Sequence, residues 1–148
     1  MNIESYKKTL VTKIMTKQYI EVQKDMSVNA FLDRFHKLKN KQRIIAVYDK
    51  DKFIGIIEPL NLIKLLVNIK NIADEHILNI HGVDFSFFPK TVNDLVTRHQ
   101  LTLTGKETIQ RAATIMLKRN LTRLAVVQNG KLIGIVKASS LFDNLKEI

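Results

Sequence analysis

The sequence contains an internal repeat, which restricts the fold more than any other feature. Setting Val11 against Val92, an offset of 81 residues, aligns apolar with apolar positions through the first part of each copy. Further along, the offset becomes 79, and Gly55 then coincides with Gly134. The two-residue difference falls in 39–42, where a surface loop accommodates an insertion at little cost. Apolar positions kept in register in this way indicate two copies of one structural unit.

Each copy shows the same series of local signals. A hydroxyl residue suited to capping a helix, Ser27 or Thr108, precedes apolar residues at helical spacing. A β-branched run, a turn and a second apolar run follow, and Asn129-Gly130 is a strong hairpin signal because both residues tolerate positive φ. A closing helix comes next, with Pro59 where a missing N–H costs nothing. The order is strand, helix, strand, strand, helix, with a helical lead-in over 3–15.

This order predicts an α+β fold built from two β-α-β-β-α units. A unit of about 55 residues buries too little surface to be stable alone, so we expect the two sheets to pack together and share one core. The predicted organisation is a lead-in helix and first repeat over 1–66, a linker over 67–91 and a second repeat over 92–148.

The linker has two local features of its own. Its first part, 69–78, is able to extend the preceding helix as far as Gly82. Further on, three phenylalanines, Phe85, Phe87 and Phe88, lie close together. We expect these rings to cover the core, since buried aromatic residues usually do so, and a contact surface for a partner chain is the alternative.

The formal net charge is +10, and it is divided evenly between the copies. Residues 11–66 carry eleven Lys/Arg against six Asp/Glu, and residues 92–145 carry eight against three. A positive excess attracts anions such as nucleotides, nucleic acid or acidic lipid, although a lysine-rich surface also serves solubility alone. Among the Lys and Arg residues of the basic stretch 34–43, Phe35 is the one aromatic ring that could stack on a base. The helix pattern buries that ring, which argues against a base-stacking site for nucleic acid.

Several classes of protein lack their usual signals here. The chain has no cysteine, which excludes disulfides, thiolate zinc sites and cysteine nucleophiles. The four histidines are scattered, and neither a glycine-rich phosphate loop nor a Gly-x-Ser-x-Gly elbow occurs. No apolar run approaches the roughly 18 residues of a membrane helix, and the first residues lack the pattern of a secretory leader. We therefore expect a soluble, cytoplasmic protein without membrane insertion, metal site, catalytic cofactor or enzymatic activity.

The repeated block resembles the CBS domain, and its duplication resembles the tandem pair known as a Bateman module. In the first copy the resemblance rests on Val11-Thr12-Lys13-Ile14-Met15-Thr16, the helix start at Ser27, the pair Ala46-Val47 and the Ile-Gly-Ile core at Gly55. The second copy repeats these features at 92–97, Thr108, Ala125-Val126 and Gly134. Their order and spacing, found twice, cover nearly the whole chain.

The resemblance implies two repeats related by a pseudo-two-fold axis, with clefts between them that bind a regulatory ligand. The ligands implied are AMP, ADP, ATP, S-adenosylmethionine and cyclic di-AMP, and the partners implied are a second copy, in a homodimer, and an unidentified regulated protein. Carried over residue by residue, one site comprises Thr16, Gln18, Ile20, Ile44 and Ile45. The other comprises Thr97, His99, Leu101, Arg123 and Leu124.

One departure from the family pattern concerns the ligand. Three residues after the glycine the family usually has a hydroxyl residue that meets phosphate, and three residues later an aspartate that accepts from ribose. The first copy has Glu58 and Asn61 at these positions, and the second has Lys137 and Ser140. Asn61 is thus expected to accept from ribose, and Lys137 to draw a phosphorylated ligand to the second copy. The alternative is a protein-interaction scaffold of the same fold with degenerate ligand sites.

Overall fold

The computed structural model of the chain describes residues 2–38, 44–63, 65–66, 89–98, 101–143 and 145. The helices in these residues are α1 (Ile3–Lys7), α2 (Val28–His36), α3 (Pro59–Ile63), α4 (Ile109–Arg119) and α5 (Ala138–Asp143). The strands are β1 (Ile20–Gln23), β2 (Ile45–Asp49), β3 (Lys52–Ile57), β4 (Thr97–Arg98), β5 (Thr102–Leu103), β6 (Arg123–Gln128) and β7 (Lys131–Lys137). The expected loop at 39–42, helix extension at 69–78 and rings of Phe85, Phe87 and Phe88 lie outside the described residues.

Two sheets form, one for each repeat. The first has the strand order β1-β2-β3-β4, and the second has the order β5-β6-β7. In both sheets a parallel pair is followed by an antiparallel hairpin: β1 and β5 run parallel to β2 and β6, which pair antiparallel with β3 and β7. The predicted α+β fold of two β-α-β-β-α units is thus confirmed. The first half hereafter means the four-stranded sheet with α2 and α3, and the second half means the three-stranded sheet with α4 and α5.

The helix and turn signals read from the sequence are confirmed. The Ser27 hydroxyl accepts from the Ala30 N–H at 3.1 Å, and the Thr108 hydroxyl accepts from the Arg111 N–H at 3.2 Å. These bonds satisfy N–H groups that a helix leaves unpaired at its start. In the hairpin of the second half, Asn129-Gly130 adopts positive φ values of 53° and 78°. Local sequence thus determines where both major helices begin and where this hairpin turns.

The lead-in is shorter than the predicted helix over 3–15. The helix α1 ends at Lys7, Leu10 is extended, and a single 3₁₀ turn follows at Val11–Lys13. The chain leaves the helix because its backbone pairs with the start of α4 instead: Leu10 bridges Thr108 in antiparallel fashion. The predicted helical lead-in is therefore divided into α1 and a 3₁₀ turn, and long-range pairing is the reason.

The segments that lead into each repeat pair with the other repeat. Thr16 exchanges two backbone hydrogen bonds with Ile135 of β7, at 2.8 and 2.9 Å. At the equivalent positions, Thr97 of β4 pairs with Ile56 of β3. Because Thr16 and Thr97 match in the repeat, as do Ile135 and Ile56, the two contacts are related by the internal symmetry. Each half therefore pairs with a segment of the other repeat, which forms the strand β4 in the first half and a single bridge at Thr16 in the second.

Glycine makes this exchange possible. A Cβ at Gly55 would overlap the backbone carbonyl of Thr97, and a Cβ at Gly134 would overlap the side chain of Met15. Both glycines occupy the centre of the Ile-Gly-Ile pattern, in the strand that the exchanged segment crosses. Close approach of two backbones is a common reason for glycine inside a strand.

Apolar side chains form three buried clusters. Two lie between a sheet and its helix, one around Phe31 in the first half and one around Leu124 in the second. The third lies between the sheets and contains Ile44, Ala46, Tyr48, Phe53, Ile56, Ala125, Leu132 and Ile135. Successive strand residues point to opposite faces, so one face of each sheet packs on its helix and the other on the opposite sheet. The expected shared core is present.

Within the described residues no helix is long and apolar enough to cross a membrane.

Candidate ligand site at the seam between the halves

The seam, meaning the shared core and the polar residues at its edges, is joined by side-chain and backbone hydrogen bonds. The Tyr19 hydroxyl donates to the Leu132 carbonyl at 2.9 Å, and the Leu132 N–H donates to the Tyr48 hydroxyl at 2.9 Å. The Phe53 N–H donates to the Gly130 carbonyl at 2.8 Å. All three bonds connect the first half to the hairpin β6–β7, so the halves are held in a defined register.

Burial in the seam changes the acidity of both tyrosines. Burial raises the pKa of Tyr19, and the nearby Glu21 carboxylate raises it further. Burial also raises the pKa of Tyr48, the Leu132 N–H lowers it, and Glu21 raises it. The raised pKa keeps the Tyr19 hydroxyl protonated, as its donation to the Leu132 carbonyl requires.

One edge of the seam carries a polar cluster centred on Asn61. The Thr97 hydroxyl donates to Asn61 Oδ1 at 2.7 Å, and the Glu58 N–H donates to the same oxygen at 3.1 Å. An amide oxygen has two lone pairs, so these two donors saturate it. A ribose hydroxyl would have to displace one of them before Asn61 accepted from it, as the sequence led us to expect. The sequence placed Asn61 in the first copy's site and Thr97 in the second copy's site, and the fold brings the two side chains together here.

A charged cluster adjoins this edge. An Arg123 nitrogen lies 3.6 Å from a Glu58 carboxylate oxygen, and the two side chains are 30% and 33% exposed. Arg123 also stands directly opposite Lys137 in the β6–β7 ladder. Glu58 comes from the first half and Arg123 from the second, so this ion pair bridges the seam.

The equivalent edge of the seam, related by the repeat, carries different side chains. Thr16 matches Thr97, and its hydroxyl accepts from the Gln18 N–H at 3.1 Å. Lys137 and Ser140 match Glu58 and Asn61, and both are partly exposed. Among the described residues Lys137 forms no ion pair. The two edges therefore share a backbone arrangement and differ in charge.

The other predicted site residues divide by the face they present. Ile44 lies in the shared core, whereas the Ile45 and Leu124 side chains are fully buried on the helix side of their sheets. A ligand at the seam can contact only the backbone of the latter two. Of the rest, Ile20 is partly buried, and the exposed ones are Gln18 and Leu101. His99 lies outside the described residues.

Sequence reasoning missed how the repeats combine. It grouped residues by repeat, but the exchange of segments sets Thr97 beside Asn61 of the first half and Thr16 beside β7 of the second. It also missed Tyr19 and Tyr48, which the repeat replaces with Gln100 and Val127. The sequence signal for the exchange of segments was the glycine inside β3 and inside β7, because a glycine within a strand indicates that another segment approaches closely. Within the described part of the chain, no three His, Cys, Asp or Glu side chains form a metal cluster.

The fold and its seam define a tandem-repeat module in which two small α+β units, each completed by the other, form one core. The CBS domain family matches the chain twice, at residues 11–68 and 92–147. The chain therefore belongs to the CBS domain family, as a pair of such domains.

Known proteins resemble the chain over different shares of their length. A homoserine O-acetyltransferase from Methanococcus vannielii is 27% identical, in a match that covers 83% of this chain and 28% of that enzyme. The chain thus spans just 28% of the curated relative's length.

Two crystal structures match almost end to end. The structure of CBSX2 in complex with AMP is 24% identical, with a TM-score of 0.65 over 94% of this chain and 97% of that one. The CBS domain pair of protein MJ0100, in complex with 5′-methylthioadenosine and S-adenosyl-L-methionine, is 22% identical, with a TM-score of 0.64 over 93% and 99%. At these identities the likeness shows the shared fold.

Proposed function

We propose that the chain is a non-catalytic regulatory module that binds an adenosine-type ligand at the seam and signals to a partner protein. The observation that carries this proposal is the convergence, at one edge of the seam, of Thr97 and Asn61 with the ion pair of Glu58 and Arg123. The complexes of CBSX2 with AMP and of MJ0100 with methylthioadenosine and S-adenosylmethionine support the ligand class.

The chemistry of the seam suits the parts of an adenosine ligand. The Thr97 hydroxyl has lone pairs left to accept from ribose, and the Asn61 amide has N–H groups left to donate. Guanidinium and ammonium groups bind phosphate, so Arg123 and Lys137 suit the charged end. The candidate ligands are AMP, ADP, ATP, S-adenosylmethionine and cyclic di-AMP.

Ligand binding is tested by thermal unfolding and calorimetry with each of these compounds and with adenosine. A ligand at one hundred times its dissociation constant stabilises the fold by about 2.7 kcal/mol. Thr97→Val should weaken binding about tenfold, since it removes one hydrogen-bonding hydroxyl. Thr114→Val on α4 is the matched control, because that hydroxyl bonds only the Gln110 carbonyl of its own helix in the described structure. If no compound stabilises the protein, a protein-interaction scaffold becomes the better description.

The scaffold alternative has an observation in its favour. The oxygen of Asn61 is saturated from within, and Glu58 already contacts Arg123. A seam whose polar groups satisfy one another does not need a ligand to be stable. Ligand titration therefore decides between the two functions.

The proposed module acts as a homodimer in the cytoplasm. Ile3, Leu117 and Phe142 are 51%, 85% and 71% exposed, on three helices that contact one another. An exposed apolar surface of this kind is typical of an interface, and a second copy is the partner we propose. The double variant Leu117→Asp, Phe142→Asp should sediment as a 17.0 kDa monomer.

The matched control for this experiment uses the first half. His36 and Ile63 occupy the equivalent positions of the repeat, so His36→Asp, Ile63→Asp should remain dimeric. A wild-type protein that sediments as a monomer at micromolar concentration would rule out the dimer, and dissociation by the control alone would move the interface to the first half.

A further inference from the structure

The helix α4 carries an excess of positive charge that its counterpart in the first half lacks. Its eleven residues, Ile109–Arg119, include two arginines and one lysine and no acidic residue. The equivalent helix α2, Val28–His36, has one aspartate and one arginine, whose charges cancel. The helices of the two halves therefore differ in charge.

Two of these cations, Arg111 and Lys118, lie on the side of α4 that faces away from the core. The buried residues Ile109, Ala112 and Met116 define the inward side, and both cations are exposed. Lys118 follows Arg111 by seven residues, which is about two helical turns and about 10 Å along the axis, so the two side chains share a face. Among the described residues neither of them forms an ion pair.

Helix stability explains Lys118 and does not explain Arg111. Lys118 lies in the last turn, where a cation is favourable because the carbonyl end of a helix is partly negative. Arg111 is the third residue of α4, and its N–H donates to the capping hydroxyl of Thr108. An acidic residue is the favourable one there, as at Thr91, whose N–H donates to the Asp94 carboxylate at 3.1 Å. A residue that breaks a local rule without a compensating contact indicates a function.

The face that carries Arg111 and Lys118 is separate from the surface of the proposed dimer. Leu117, which the dimer covers, precedes Lys118 by one residue and lies about 100° away around the helix. A second copy and a further partner therefore contact different faces of α4.

An acidic protein segment fits this face better than nucleic acid does. Two carboxylates at positions i and i+7 of a helix lie about 10 Å apart along its axis, which matches the spacing of the two cations, and both cations bind carboxylates well. Nucleic acid binds through many phosphates and through stacking on aromatic rings. The outward face of α4 has two cations, and the helix contains no aromatic residue.

We infer that Arg111 and Lys118 form the docking face for an acidic segment of the regulated protein. The inference deepens the proposed function and rests on the partner that it requires. Ala30 and Lys37 match these two residues in the first repeat, and Asp33 lies between them, so α2 presents no such pair. The partner therefore binds the second half.

The inference is tested by fluorescence anisotropy with a labelled oligoglutamate peptide, on the full-length protein at low ionic strength and without nucleotide. The double variant Arg111→Glu, Lys118→Glu should lower the affinity about tenfold or more, because it reverses both charges of the face. The double variant Arg34→Glu, Lys37→Glu is the matched control, since it makes the same change in net charge at exposed positions of the first half. It should lower the affinity at most about threefold.

A stability measurement separates docking from folding. Arg111→Glu alone places a glutamate three residues after Thr108, which completes the pattern of a capping box at the start of α4. The thermal midpoint of this variant should therefore equal or exceed that of the wild-type protein, while its affinity for oligoglutamate falls. A lower midpoint would show that Arg111 stabilises the fold and would overturn the inference.

The outcomes separate this inference from the proposed function. Loss of oligoglutamate affinity in the α4 double variant alone supports the docking face, whereas equal losses in both double variants, or no binding by the wild-type protein, overturn it. Tighter binding of oligouridylate RNA or phosphatidylglycerol vesicles through Arg111 and Lys118 would assign the face to nucleic acid or membrane, and the inference would be wrong.

Stabilisation by AMP serves as the separate readout of the proposed function. It should be the same in all variants, because α4 packs on the side of its sheet that faces away from the seam. If AMP and the other adenosine compounds fail to stabilise the wild-type protein, the proposed ligand is wrong, and the oligoglutamate titrations still decide the docking face.

Discussion

The two halves of the molecule have the same strand order and carry different side chains where they meet. The apolar positions, the helix caps and the glycine in the last strand of each repeat recur in both copies. At the seam, by contrast, Glu58 and Asn61 of the first half match Lys137 and Ser140 of the second. The residues that build the scaffold are thus shared, and those that face a ligand are not. Duplication supplied one framework with two chemically distinct edges.

The halves also differ in how they hold each other. The first half contributes the hydroxyls of Tyr19 and Tyr48, and the second contributes the backbone of Leu132. At the position of Tyr48 the second copy has Val127, which has no hydrogen-bonding group. The internal symmetry of the fold therefore does not extend to the energetics of the seam.

The largest expected difference between the halves concerns the two glycines. Gly55→Ala should destabilise the protein by about 3 kcal/mol or more, because the new methyl meets the backbone of Thr97. Gly134→Ala should cost about 1 to 2 kcal/mol, because the new methyl meets the Met15 side chain, which is flexible and able to move. Urea unfolding of both variants measures the two values. Equal losses would show that the exchanged segments are held equally tightly.

The next effect concerns the tyrosines. Tyr48→Phe should destabilise the protein by about 1 to 3 kcal/mol, since it leaves the buried Leu132 N–H without a partner. Tyr19→Phe should cost about 1 kcal/mol, because it removes a hydrogen bond at a partly buried position. Denaturant unfolding checks both. Val127→Ala, at the position of the second half that matches Tyr48, is a control for the loss of packing in the shared core. A loss from Tyr48→Phe below that from Tyr19→Phe would contradict the ranking.

A smaller and more symmetric effect is expected at the helix caps. Ser27→Ala and Thr108→Ala should each cost about 1 kcal/mol, because each removes the acceptor of an N–H at the start of a helix. The two values should agree within about 0.5 kcal/mol, in contrast to the glycines, since the caps are equivalent in both halves. A clear difference between them would show that the halves diverge outside the seam as well.

The smallest effect at neutral pH concerns phenol ionisation. A tyrosine in the unfolded chain has a pKa of about 10, and folding raises the pKa values of Tyr19 and Tyr48 above that value. Their contribution is fully present below pH of about 10 and is lost as the pH rises through the folded values. The free energy of unfolding should therefore fall in this alkaline range, and less steeply in the double variant Tyr19→Phe, Tyr48→Phe. Denaturation series from pH 8 upward measure the slope, and equal slopes would refute the assignment.

The sequence predicted the features that depend on neighbouring residues. The cap at Ser27, the turn at Asn129-Gly130 and the order of strands and helices along the chain follow from local propensity and from the repeat. The exchange of segments does not, because the pairing of Thr16 with Ile135 joins residues more than one hundred positions apart. The saturation of Asn61 depends likewise on Thr97, 36 residues further along the chain.

The exchange of segments also has a consequence for how the chain folds during synthesis. The sheet of the first half lacks its fourth strand until Thr97 and Arg98 have left the ribosome. The segment that ends at Thr16 has no strand to pair with until Ile135 follows. Contacts between residues so distant in sequence slow folding, because the intervening chain must first be closed into a loop. The first sheet therefore cannot be completed until the second repeat begins to emerge, and the pairing of Thr16 cannot form until most of the chain has been made.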